Sequence, residues 1–173
     1  MSPLVIKKDP DIHELRKCAE ALAQSRQTLT LATAEASAAW AAPVYYLFQP
    51  WRFYFFSNPQ SRHIREAQAA GQAGGSVYRK GEGWQSIQGL QMSGAVTPVV
   101  RKGEAARILM KYFKKYPFIN ELFKTEMGLP NVKLFRQQFK VELYAYIPDK
   151  VLYIDNRIRF GFKGEIQLPD SVG

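Results

Sequence analysis

From Ile12 onward apolar residues recur at helical spacing, as Ile12, Leu15, Cys18, Ala19 and Leu22, with His13, Glu14, Arg16, Lys17 and Glu20 between them. Asp9-Pro10 precedes this run. The carboxylate can accept from the free N–H groups of a helix start, and proline loses nothing at the first helical position. The pattern predicts a helix over about 10–25, with Cys18 as a small buried apolar group. At Thr28 the period shortens to two, Thr28 and Thr30 alternating with Leu29 and Leu31, which predicts a strand. A turn of small residues at 35–38 leads to a second strand, Trp40–Phe48. Pro43 cannot donate a ladder hydrogen bond, so this strand lies at an edge, a bulge or an opening. Gln49-Pro50 turns the chain into a third strand, Arg52–Ser57, and the helix that follows ends at Gly71, Gly74 and Gly75. A fourth strand, Gly75–Arg79, passes through the hairpin Lys80-Gly81-Glu82-Gly83 into a long strand, Trp84–Val100, with bends at Gly89 and Gly94.

Glu104–Tyr116 is amphipathic, with Ala105, Leu109, Tyr112, Phe113 and Tyr116 on one face, lysines facing water, and Pro117 as the stop. Residues 118–138 predict short helical pieces broken at Gly128-Leu129-Pro130. Phe139, Val141, Leu143 and Ala145 then alternate with Lys140, Glu142, Tyr144 and Tyr146, a strand; after Pro148-Asp149 comes a last strand, Val151–Ile154, and a tail through Phe160–Gly164. Six or more strands with a helix before the final pair predict a mainly β (α+β) fold, a closed or nearly closed antiparallel barrel with flanking helices. A small barrel fills with side chains, so a sizeable ligand sits on its surface or between subunits. Without repeats, linkers or low-complexity tracts, residues 1–173 read as a single domain.

The composition narrows the function classes. The chain has 173 residues, of which 46% are apolar and 13% aromatic, enough for one well-filled core. A net charge of +9 favours an anionic partner. A single cysteine excludes an internal disulfide and a metal-thiolate site, and two histidines exclude a multi-histidine metal site, so no metal is expected. No G-x-S-x-G, H-E-x-x-H or P-loop pattern occurs, and Glu66, Glu82, Glu104 and Glu142 are too scattered to pair as general acid and base. The residues MSPLVIKKDP lack the apolar stretch of a secretory signal, and no run is long enough to span a membrane, so a cytoplasmic protein without a membrane partner is expected.

The chemistry concentrates in WRFYFFSNPQSRHIRE, residues 51–66, where Ser57, Ser61, Arg62, His63 and Arg65 gather as a strand gives way to a helix start. Free N–H groups and a partial positive charge make such a place a phosphate site. The plainer reading is a strand-to-helix turn with Ser61 as N-cap and solvated arginines.

Phe56-Ser57-Asn58-Pro59-Gln60-Ser61-Arg62-His63 resembles the FMN-phosphate segment of the pyridoxamine 5′-phosphate oxidase-like split β-barrel flavoproteins, an aromatic residue, Ser/Thr-Asn, two spacers and Ser-Arg-Lys. The strand Ala42-Pro43-Val44-Tyr45-Tyr46, the strand 87–94 and the helix before the final strands agree in order, and Tyr153–Asn156 with Phe160–Lys163 is similar to the YhbP-type branch. The resemblance implies a split barrel that binds FMN between two subunits of a homodimer, the site of flavin-dependent oxidoreduction on a small substrate of unknown identity. It further implies phosphate held by Ser61 and Arg62, the ribityl-phosphate arm bonded by Ser57, Phe56 and His63 in the same segment, the flavin lined by Ala42, Pro43, Val44 and Tyr45, and Gln88 or Gln91 near the ring edge. It points to no catalytic residue. His63 stands where the oxidase has lysine, so phosphate affinity is expected to fall as pH rises past the imidazole pKa. Ala41 or Ala42 replaces an arginine, and an Arg-x-His segment has no counterpart after Val151, so pyridoxal phosphate synthesis is not implied. Two alternatives stand beside this one. Haem could be held by His63 or His13. A non-catalytic nucleic-acid module could use Tyr78-Arg79-Lys80 and Tyr112-Phe113-Lys114-Lys115-Tyr116, although the helical face of the second run favours core packing.

Overall fold

Asp11, two residues later than the sequence suggests, caps the first helix. Its carboxylate accepts from His13 N at 2.8 Å and Glu14 N at 2.9 Å, while Glu14 accepts from Asp11 N at 3.1 Å. The computed structural model containing this cap describes residues 9–119 and 132–169. Helix α1 (Ile12–Ser25) buries Leu15, Ala19, Leu22 and Ala23. That stripe leaves Cys18 on its flank, exposed and lining a cleft, which corrects the expectation of a buried thiol.

Strands β1 (Thr28–Glu35), β2 (Ala38–Tyr45), β3 (Leu47–Gln49) and β4 (Arg52–Ser57) follow, then α2 (Arg62–Ala70), β5 (Ala73–Arg79) and a short 3₁₀ turn at Trp84–Ser86. Strand β6 (Gln88–Pro98), helices α3 (Lys102–Lys115) and α4 (Val132–Phe139), and strands β7 (Glu142–Asp155) and β8 (Lys163–Glu165) complete the described chain. The predicted break at 128–130 lies outside the described residues. All strand pairs are antiparallel, in the order β2-β1-β5-β6-β7-β4-β3, with β8 added to β7. Among the described residues the sheet is a half-barrel with four flanking helices.

The predicted second strand is in fact two. β2 pairs with β1 as far as Tyr45, and β3 pairs with β4 from Leu47, so Tyr46 alone joins the two ends of the sheet. These ends do not pair with each other, and this is the split in the barrel. Pro43 lies on edge strand β2 opposite Thr30, a position where its missing N–H costs no ladder bond on the open side. Tyr46 is fully buried, its N–H donating to Gln27 O at 3.0 Å and its hydroxyl to Ala23 O at 2.5 Å.

The two predicted C-terminal strands are one, β7. Ser93 faces Lys150 while Gly94 faces Pro148, so Asp149 is an extra residue in a bulge. Asp149 accepts from Ser93 Oγ at 2.5 Å and Gln72 Nε2 at 3.0 Å. The sequence reads Pro148-Asp149 as a turn because a bulge and a turn draw on the same residue types. Phe139 belongs to α4, and β8 lies in what reads as tail.

Inside the half-barrel, Leu29, Leu31, Phe53, Phe55, Tyr146 and Tyr153 pack with α1 and α2. On its other side Tyr54, Leu143 and Ala145 meet Ile108, Leu109, Tyr112, Phe113 and Tyr116. The aromatic residues of α3 are therefore core, as its amphipathic pattern predicts. Its lysines do not all face water. Lys115 Nζ donates to Arg26 O at 2.7 Å and Tyr46 O at 3.0 Å and lies 4.4 Å from the centroid of the Tyr46 ring, bridging the split. Burial lowers its pKa to about 8 from 10.5. Between these values the unfolded chain binds the extra proton, so this group adds stability as pH rises from about 8 to 10.5. Thermal melts from pH 7.5 to 10 are expected to show this rise relative to Lys115→Met, in which it disappears; parallel profiles would contradict it.

Candidate cofactor site

Alternation along β4 turns Phe53, Phe55 and Ser57 toward the inner core and Tyr54 and Phe56 the other way. Phe56 meets Tyr112 edge to face, with centroids 5.2 Å apart, so it packs toward α3 and away from the hydroxyl cluster. Beyond Ser57 an Asx turn reverses the chain. Asn58 Oδ1 accepts from Gln60 N at 2.7 Å, and Asn58 O accepts from Ser61 N at 3.0 Å and Ser61 Oγ at 2.7 Å. Ser61 holds the N-cap position, yet its side chain makes no cap bond, so the first N–H groups of α2 stay available.

Three side chains meet there. Ser57 Oγ lies 3.1 Å from Ser61 Oγ and 2.8 Å from His63 Nε2, and Ser61 Oγ lies 3.3 Å from the same nitrogen. Desolvation lowers the His63 pKa below 6.5 despite an opposing pull from Glu66. His63 is thus neutral near pH 7 and becomes a second cation only in acid. The midpoint of its imidazole NMR titration is expected below 6.5. A midpoint at or above 7 would contradict the desolvation.

Arg62 is anchored. Its Nε donates to Glu66 Oε1 at 2.5 Å and its Nη2 to Ala38 O at 3.2 Å, with the guanidinium 4.8 Å from the Trp40 ring centroid. Glu66 is buried and also accepts from Thr33 Oγ1 at 2.5 Å. The Thr33 hydrogen bond, followed by that of Arg62, lowers its pKa. Arg62 Nη1 has no partner among the described residues, so the fork keeps donors for an anion while its base is fixed. A doubly charged phosphate suits this set of two hydroxyls, free helix-start N–H groups and an oriented guanidinium.

The other expected site residues divide by strand parity. On β2, Ala42 and Val44 face the core, while Pro43 and Tyr45 face out. Tyr45 packs edge to face on Tyr116, with centroids 5.2 Å apart. Gln91 is exposed on the same outer face, where ladder register forms a row Pro43–Thr30–Ser76–Gln91. Gln88 lies three residues away and so faces inward. It is buried and donates to Tyr153 OH at 2.7 Å and Asp155 Oδ2 at 3.0 Å, away from the hydroxyl cluster. His13 is exposed on α1. Thr33, Trp40 and Glu66 were not singled out from the sequence as site residues, although the Arg62–Glu66 spacing is that of neighbours on one helix face.

Residues 15–144 match the sequence profile of the pyridoxamine 5′-phosphate oxidase family, which specifies no branch of it. None of the curated proteins matches the chain. Several solved structures share the fold. Campylobacter jejuni ChuZ is similar with a TM-score of 0.70 and 13% identity, over 92% of this chain and 61% of its own. The heme binding protein from Mycobacterium smegmatis gives 0.67 and 12%, over 93% of this chain and 60% of its own. An FAD-binding protein from Mesorhizobium loti gives 0.58 and 12%, over 78% of this chain and 90% of its own. The chain thus spans about three fifths of the length of the first two.

Proposed function

This chain belongs to the pyridoxamine 5′-phosphate oxidase family, and on that premise we propose that it binds FMN and serves as a flavin-dependent oxidoreductase. The observation that carries this reading is the meeting of Ser57, Ser61 and His63 within 3.3 Å at an uncapped helix start, with Arg62 beside them. Ser61, Arg62 and the first N–H groups of α2 hold the phosphate, and Ser57 bonds the adjoining arm. Glu66 and Thr33 act as positioning residues for Arg62. Edge strand β2 offers its open side and its outward Pro43 to the flavin, and Gln91 lies on the same outer face. The bound flavin would supply the hydride or electron transfer, while the chain fixes its place and excludes water. The outer faces of β1 and β2 expose small side chains, Ala32, Ala34, Ala39 and Ala41, a flat surface suited to a second copy in a homodimer. The absorption spectrum of freshly purified protein, with mass spectrometry of what denaturation releases, tests this. Flavin bands near 450 nm and released FMN are expected; their absence, together with failure to take up added FMN, would contradict it.

The M. smegmatis neighbour favours a second reading, haem. Here His63 Nε2 would have to leave Ser57 to coordinate iron. A Soret band formed on haem addition and lost in His63→Ala would replace the flavin reading.

A further inference from the structure

A second cleft lies where α1 covers the β5–β6 hairpin and the end of β7. Two adjoining cavities of about 390 and 300 Å³ share Arg79, Gln88 and Arg157 as lining, with Arg26 and Cys18 in the first and Lys80 in the second. The carboxylate that ties Gln88, Tyr153 and Arg157 of this lining together, Asp155, is fully engaged. It accepts from Arg157 Nε at 2.8 Å and Nη2 at 2.6 Å, from Tyr153 OH at 2.8 Å and from Gln88 Nε2 at 3.0 Å. Burial alone would raise its pKa, but these bonds, led by that of Arg157, hold it below the ordinary value.

Arg26 Nε donates to Ser25 Oγ at 3.2 Å, but neither Arg26 nor Arg79 has a carboxylate partner among the described residues. Neither guanidinium forms an ion pair among the described residues, nor does Glu82, which lines the outer cavity. Two guanidinium groups sharing one cavity repel each other until an anion joins them. Gln88 supplies an independent observation. It is 6% exposed, its Nε2 is spent on Tyr153 and Asp155, and its Oε1 accepts no hydrogen bond among the described residues. Among the described residues no buried side-chain oxygen lacks a partner, so this oxygen opens on the cavity that Gln88 lines.

We propose that this cleft binds a small organic anion, with a phosphate or carboxylate held by Arg26 and Arg79 and a hydroxyl or amine that donates to Gln88 Oε1. Ala21 and Leu22 give its middle an apolar wall. The cavity volumes suit a molecule of metabolite size. The site is separate from the proposed flavin phosphate site. Ser57 pairs with Glu142 at the start of β7, whereas Gln88 pairs with Asp155 at its end, so the two sites lie at opposite ends of this 14-residue strand.

Cys18, the chain's single cysteine, lines the cavity and reports on it. Its alkylation by neutral iodoacetamide is followed by mass spectrometry with inorganic pyrophosphate, succinate or sodium chloride at matched ionic strength. Pyrophosphate, succinate or both are expected to slow it saturably, by about tenfold at ten times the dissociation constant. Protection by one alone assigns the phosphate or the carboxylate class. The double variant Arg26→Ala/Arg79→Ala, and the exposed single variant Arg79→Ala should the double one not fold, are expected to lose protection while binding FMN as before. No slowing beyond that by sodium chloride, or equal slowing in the variants, would overturn the proposal. Failure to bind FMN would bear on the flavin reading alone.

Discussion

Arg62→Ala is expected to weaken FMN binding by about 10- to 100-fold, the loss of one charge-assisted phosphate contact of roughly 1.5–3 kcal/mol. It is also expected to lower the thermal midpoint, because Glu66 stays buried and keeps Thr33 but loses its cation. Glu66→Gln separates the two effects. The amide oxygen can still accept from Arg62 Nε and keep the guanidinium in place, so FMN affinity is expected to hold while stability falls. The pH dependence has a definite sign. The folded pKa of Glu66 is depressed, so its contribution is present above the ordinary value of 4.5 and is lost as pH falls from there through the folded pKa. Acid unfolding should therefore show a weaker pH dependence in Glu66→Gln. If Arg62→Ala bound FMN as tightly as the parent chain, the guanidinium would have no part in holding phosphate.

Gly94→Ala is expected to be the most damaging single methyl group in the sheet. An added Cβ would lie 2.3 Å from Ile147 O and 2.5 Å from Pro148 Cα, both backbone atoms of the paired strand. No rotamer relieves such a contact, so β6 and β7 must part at the bulge, at a cost of about 3 kcal/mol or more. Gly103 supplies the contrast. It lies in α3 with nothing within 4 Å of an added Cβ. Gly103→Ala is expected to gain about 0.4–1 kcal/mol by restricting the unfolded chain. Urea denaturation of the two variants checks both signs, and an unchanged midpoint for Gly94→Ala would contradict the close approach.

The close approach at Gly94 joins residues far apart in sequence. Alternation at Thr28–Leu31 was legible because local polarity marks the two faces, and Arg52–Ser57 was legible as a strand from its aromatic run, although with both faces covered its sidedness was not. The hydroxyl cluster was legible too, since Ser57 and Ser61 are separated by one turn whose Asn-Pro chemistry is local. The bulge at Asp149 was not, because it depends on Gly94, a partner distant in sequence. The split at Tyr46 escaped notice for a similar reason, being fixed by Gln27, Ala23 and Lys115. Lys115 and Cys18 show the limit of helical periodicity, which gives a face but not what lies at its flank. Arg62–Glu66 and the opposite parity of Gln88 and Gln91 could have been read from spacing alone.

The most direct test of the proposed phosphate site compares FMN with riboflavin, which has the same ring and no phosphate. Flavin fluorescence quenching is titrated with the parent chain, Ser61→Ala and Arg62→Ala. FMN is expected to bind the parent chain at least about 100-fold more tightly than riboflavin, as two or more charge-assisted contacts require, with the preference shrinking in each variant. Equal affinity for the two flavins, or a preference for FMN untouched by both substitutions, would place the phosphate elsewhere and contradict the account.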